Sequence, residues 1–248
     1  MAEPTRVLVP SSAEEASRLF RDDPTMTVVG GGTIMIPRLA LRPGRARAAM
    51  LLHRAGLVGV RRDDARVTIG AMTTLAALVD TPDPLRAAAA HVGDREIRRQ
   101  ATIGGNLCAS NADAPPGDVQ GALIALAASV RSTGPGGERV DPVERFLPAC
   151  QDRLVLDVAF DEPVAGAFVC LDRPHTHDYT ALAVSVARTR DAGVRIGVTG
   201  GCRVVALSSP DDAASVQFDD DALASAWYRR RTLPVLISRA LAALEEAA

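Results

Sequence analysis

The chain has 248 residues, enough for one large domain or two modest ones with cores of their own. Its 47% hydrophobic and 23% charged residues describe a water-soluble globular protein, and a net charge of −2 excludes an electrostatic case for binding nucleic acid or anionic membrane. All 28 basic residues are arginine, so lysine is excluded as a base, a Schiff-base former or a phosphate ligand.

In chain order, residues 7–9 read as a short strand. Ser11 and Glu14 read as a capping box for a helix with the apolar stripe Ala13, Ala16, Leu19 and Phe20. Residues 27–29 form a second predicted strand, followed by Gly30-Gly31-Gly32-Thr33, and Pro37 opens a short helix ending near Arg42-Pro43. Residues 50–52 are a third strand, and residues 57–60 and 67–70 flank Asp63-Asp64 as a hairpin. Thr73 is expected to cap a helix through Leu78, Asp83-Pro84 to start one over residues 87–90, and Asp118 to cap one over residues 119–128. Residues 129–131 and 154–160 read as strands around a flexible loop at 132–137.

A composition break at Glu162-Pro163 divides the chain into domains 1–163, with subdomains about 1–54 and 55–163, and 164–248. The second domain is expected to hold three strands (167–170, 181–189, 194–199), a linker to Pro210 and two helices (about 219–227 and 233–246). The fold class is α+β. The N-terminal ten residues lack an apolar signal core, and no run approaches the roughly 18 apolar residues of a membrane span. Cys108, Cys150, Cys170 and Cys202 show no C-x-x-C spacing, which points to a reduced cytoplasmic setting and gives no iron–sulfur or zinc signature.

Two glycine segments carry the functional argument. Paired glycines leave backbone N–H groups unobstructed by Cβ atoms, so that they can converge on an anion. Gly30-Gly31-Gly32-Thr33 and Thr102-Ile103-Gly104-Gly105-Asn106-Leu107 lie some seventy residues apart and can pinch a dinucleotide's two phosphates from opposite sides. Gly-Gly is also common in plain turns and helix C-caps. Neither segment fits a Rossmann fingerprint, and no Gly-Lys-Ser/Thr occurs, so any phosphate site belongs to another fold.

In order and spacing, nearly the whole chain resembles the flavin-binding subunit of molybdenum hydroxylases, the group that includes xanthine dehydrogenase and carbon monoxide dehydrogenase. The resemblance rests on Val29-Gly30-Gly31-Gly32-Thr33-Ile34-Met35-Ile36-Pro37, on Ala55-Gly56-Leu57 with residues 67–74, and on Ile97-Arg98-Arg99-Gln100-Ala101 before Thr102. It also rests on Pro115-Pro116-Gly117-Asp118 with Leu123-Ile124-Ala125-Leu126, and on residues 181–187. It implies a two-subdomain FAD domain of the PCMH type followed by a small three-stranded sheet with helices. It further implies FAD as cofactor, and as partners a molybdenum-cofactor large subunit and a [2Fe–2S] small subunit. By the same resemblance Gly31, Gly32, Thr33, Ile34, Met35, Thr102, Gly104, Gly105 and Asn106 hold the pyrophosphate. Asp118 meets the nucleotide ribose, Leu154 packs near the ring, and Tyr179 covers the isoalloxazine.

Ile34 departs from the family's polar residue, about three extra residues lie between Asn106 and Pro115, and Val169-Cys170 replace a common basic residue, leaving the acceptor open. No catalytic or metal-ligating residue is assigned. His175 and His177 read as solvated. Three readings stand: an electron-transfer flavoprotein subunit, a free-standing flavin-dependent reductase, and a scaffold without FAD.

Overall fold

The computed structural model describes residues 6–41, 46–109, 115–171, 175, 179–190, 193–201 and 203–247. The predicted helix end at Arg42-Pro43, His177 and Cys202 lie outside them.

The chain opens with β1 (Arg6–Leu8), α1 (Ala13–Asp22), β2 (Thr27–Val29), α2 (Met35–Leu41) and β3 (Ala48–Leu51), whose strands form a parallel sheet in the order β1-β3-β2. The helix cap is one residue later than the sequence suggests. Ser12 Oγ accepts from Glu15 N at 3.1 Å, and Glu15 in turn accepts from the N–H and hydroxyl of Ser11. Helix α1 buries Ala16, Ser17 and Phe20.

A five-stranded antiparallel sheet follows in the order β4-β5-β8-β6-β7, from β4 (Val60–Asp63), β5 (Arg66–Gly70), β6 (Ser129–Thr133), β7 (Arg139–Pro142) and β8 (Leu154–Asp161). Residues 57–59 precede β4 rather than belonging to it, and β7 lies in a stretch given no strand from sequence. Between β5 and β6 run a short 3₁₀ turn (Leu75–Leu78), α3 (Leu85–His91), α4 (Arg95–Gln100), α5 (Ile103–Leu107) and α6 (Asp118–Ala125); α7 (Val143–Phe146) follows β7. Thr73 does not cap the 3₁₀ turn. Its hydroxyl exchanges hydrogen bonds with the N–H and C=O of Gly59, pinning the β4 approach. Asp83 does support α3, accepting from Ala87 N at 3.1 Å.

The third sheet is antiparallel, ordered β12-β11-β10-β9: β9 (Ala165–Cys170), β10 (Leu182–Thr189), β11 (Gly193–Gly200) and β12 (Arg203–Leu207). It has four strands rather than the expected three, because β12 forms in the stretch read as linker and pairs with the apolar register of β11. The two expected terminal helices are one, α8 (Ala226–Glu246), which continues through Pro234. Pro234 is exposed, so the Arg230 carbonyl it leaves without an intrahelical donor sits on the wet side. Residues 219–225 are instead an irregular turn, tied by the Arg229 guanidinium to Asp219 O, Ala224 O and Asp221 Oδ1, and to Ala181 O at the start of β10.

Helix α6 is buried along its whole length, Asp118 and Gln120 included, as fits a helix enclosed between layers. One side meets α3 and α5, and the other meets β10 and β11. There the helix and sheet backbones touch: a Cβ on Gly197 would stand 2.0 Å from Gly121 O. Among the described residues no helix is long and apolar enough to cross a membrane.

Candidate cofactor site

The two glycine segments, distant in sequence, are in direct contact. A Cβ on Gly31 would stand 1.8 Å from Gln100 O, and one on Gly30 would stand 2.9 Å from Thr102 Oγ1. Gly31 is therefore required by the approach of one backbone to the other, and Gly32 by its φ of +76°. Beside this junction lies a cavity of about 690 Å³, within the usual range of about 300–1,000 Å³ for cofactor sites. All twelve residues singled out from sequence line it: Gly31, Gly32, Thr33, Ile34, Met35, Thr102, Gly104, Gly105, Asn106, Asp118, Leu154 and Tyr179.

The segments differ in what they present. The N–H groups of residues 31–35 have no hydrogen-bond partner among the described residues, the first bonds of the turn being Ile36 N to Gly32 O and Arg38 N to Ile34 O. Five successive donors are therefore left unbonded in a partly buried stretch at the start of α2. In the second segment the amides are already bonded: Ile103 N to Thr73 O and Gly104 N to Ala71 O, each 2.9 Å, Gly105 N to Thr102 Oγ1 at 3.2 Å, and Asn106 N to Thr102 O at 2.9 Å. The expected glycine turn is in fact the one-turn helix α5, N-capped by Thr102. What it gives the cavity is bare surface. Gly105 is exposed, and a Cβ there would meet only Thr102 Oγ1, at 3.0 Å.

Asn106 has a second role that the sequence did not disclose. Its Oδ1 accepts from Val119 N at 3.2 Å, so Asn106, and not Asp118, caps α6, whose N-cap position is Gly117. The buried Gln120 donates to the carbonyls of Asn106, Leu107 and Ala109, holding the start of the intervening segment to the helix. Asp118 is 8% exposed, at the cavity wall. Leu154, at the start of β8, is 2% exposed, whereas Tyr179 is 46% exposed.

Further lining residues were not picked from sequence, among them Arg38, Met26 and Met72. Arg38 follows Ile34 by four residues, one helical turn, so the periodicity of α2 is the signal that finds it. Cys108 and Cys150 also line the cavity, and a hydrogen bond between their thiols, with burial, pushes the Cys108 thiol well above its ordinary range. His175, the described member of the histidine pair, is not among the lining residues.

The donor row, the absence of Cβ atoms where the loops meet, and an apolar wall at Leu154 and Met72 fit an extended ligand with an anionic middle and a flat aromatic end. The comparisons with known proteins agree. Residues 3–160 match the family model "FAD binding domain in molybdopterin dehydrogenase". The carbon monoxide dehydrogenase medium chain of Afipia carboxidovorans is 34% identical over 194 residues, covering 72% of this chain and 66% of that one. Subunit alpha of the 6-hydroxypseudooxynicotine dehydrogenase complex of Paenarthrobacter nicotinovorans is 28% identical over 276 residues, covering 95% and 92%. Among solved structures, carbon monoxide dehydrogenase from Hydrogenophaga pseudoflava matches over 100% of both chains at TM-score 0.86 and 22% identity, a likeness of fold. This chain belongs to the FAD-binding family of the molybdopterin dehydrogenases, a family of oxidoreductase flavoproteins.

Proposed function

We propose that this chain is the flavoprotein subunit through which a molybdenum hydroxylase assembly passes electrons to an external acceptor. In this reading substrate is oxidised at the molybdenum cofactor of a large partner, and electrons arrive through the [2Fe–2S] clusters of a small one. The names of two relatives, a dehydrogenase complex subunit and a medium chain, support a multi-subunit setting.

The observation that carries the reading is the row of unpartnered N–H groups at residues 31–35, opening on the cavity that α5 also walls. Those donors would hold the diphosphate of FAD, each charge-assisted bond contributing about 1.5–3 kcal/mol. Arg38 adds a positive charge on the same side. Thr102, Gly104, Gly105 and Asn106 form the facing wall, where Gly105 lets the ligand approach main chain. Asp118 would accept from the ribose hydroxyls. Leu154 would pack on the flavin ring while Tyr179, half exposed at the rim, covers it from water; a stacked aromatic contributes about 1 kcal/mol. Bound FAD supplies the redox chemistry, accepting and releasing one or two electrons.

Expression alone and with its partner subunits tests the reading. The chain alone is expected to purify yellow with bound FAD, with iron and molybdenum appearing only when the partners are present. A colourless protein that takes up no added FAD would favour the scaffold, and substrate turnover by the chain alone would favour the free-standing reductase.

A further inference from the structure

Cys108 follows α5 at its C-terminal end, its N–H donating to Gly104 O at 3.1 Å, and Cys150 lies in the 3₁₀ turn Leu147–Asp152 that leads into β8. The fold brings these two elements, far apart in sequence, to one cofactor cavity, which both cysteines line. Their thiols hydrogen-bond to each other. Cys150 Sγ also accepts from Gln151 Nε2 at 3.7 Å. Cys150 belongs to the core packed on the second sheet, and Cys108 rests against that core. Cys150 is 4% exposed and Cys108 partly buried, so the way to both sulfurs is through the cavity.

We propose that Cys108 and Cys150 form an oxidisable dithiol, which hydroperoxides convert to a disulfide when the cavity is empty and which bound FAD covers. A disulfide holds its sulfurs about 2.05 Å apart, and thiols already in hydrogen-bonding contact need only a small approach to reach it. No loop has to close first, since the folded elements on either side already place both sulfurs. With hydrogen peroxide, one sulfur gives up its proton and attacks an oxygen. The O–O bond breaks, the departing hydroxide takes a proton to leave as water, and that sulfur becomes a sulfenic acid. The other sulfur then attacks the sulfenic sulfur, the S–S bond forms, and the sulfenic hydroxyl leaves as water with the second thiol's proton. The balance is two thiols and one peroxide to one disulfide and two waters. The covering rests on the reading that FAD fills this cavity, whereas the oxidation does not.

The full chain is exposed to hydrogen peroxide at neutral pH without and with added FAD, and the flavin content of each sample is read from its absorbance. Remaining thiols are alkylated, and the unreduced protein is digested for peptide mass spectrometry. In the flavin-free chain a peptide pair joined through Cys108 and Cys150 is expected, with both cysteines lost to alkylation and the native circular dichroism kept. With free FAD at about ten times its dissociation constant, about a tenth of the chains stay open, and joining is expected to slow about tenfold. Cys150→Ala is expected to yield no joined peptide at Cys108. Peroxide that leaves the wild-type pair unjoined, or joins either cysteine to Cys170 or Cys202 instead, overturns the dithiol. So does joining that occurs only in guanidine-unfolded chain or only with loss of the native spectrum. A chain shown by absorbance to hold FAD that joins as fast as the empty one overturns the covering. A chain that takes up no FAD overturns the covering together with the cofactor reading, while the dithiol is still judged on the empty chain.

Discussion

Gly105 and Gly31 are both glycine for reasons of space, but the spaces differ. Gly31 is filled by the backbone of Gln100, whereas Gly105 faces the cavity with only Thr102 Oγ1 near. Gly105→Asp therefore leaves the fold intact and puts a carboxylate where the diphosphate belongs. It is expected to purify without flavin yet melt like the wild-type apoprotein, by absorbance and circular dichroism; full flavin occupancy would count against the site. The twelve lining residues were legible through the family resemblance: nine lie in or beside the two glycine segments, and Asp118, Leu154 and Tyr179 were carried over by position. Arg38 was not, since one arginine among 28 carries no mark until the helix phase is known.

An ion pair between the fully buried Arg229 and the partly exposed Asp221 anchors the third sheet at the same scale. Burial raises the Asp221 carboxyl, but hydrogen bonds from Arg229 and from the N–H groups of Ala224 and Leu223 outweigh it and hold the group below its ordinary value. The stability it contributes is present at neutral pH and down to the unfolded value of about 3.9, and is lost as pH falls further through the lowered folded value. Asp221→Asn leaves the fully buried Arg229 without its carboxylate. It is expected to cost about 3 kcal/mol in urea unfolding at pH 7, and less than that at pH 3.

Among elements, the lesson is that caps and strands set by distant partners escape a local reading. Asp118 stands at the right place to cap α6, yet the cap comes from Asn106, on the other side of residues 110–114. Asn106→Ala is expected to destabilise the apoprotein by about 1 kcal/mol in denaturant unfolding, with α6 amides exchanging faster. An unchanged midpoint would show that the Val119 N–H finds another acceptor at no cost. Strand β12 escaped for a similar reason, its pairing with β11 and its packing on α6 being set by distant partners. The α8 boundary was misplaced because a proline inside a helix is tolerated when the carbonyl it frees is exposed. The glycine turn at 104–105 became α5 because Thr102, read only as part of a motif, is a capping residue.

At the scale of the whole molecule, three sheets are fastened by backbone contacts that only glycine permits: Gly31 on Gln100, Gly166 on Asp83, and Gly197 on Gly121. The first of these contacts brings the glycine segments together beside one cavity while leaving the donors of residues 31–35 unbonded. The central claim is that these five N–H groups are the anion site and that α5 supplies a wall. Hydrogen exchange read at single residues, with and without FAD, tests it most directly. Residues 31–35 are expected to exchange quickly in the apoprotein and to gain protection on adding FAD, while residues 103–106, already bonded internally, change little. Protection that rises only at 103–106, or exchange at 31–35 indifferent to FAD, would contradict the account.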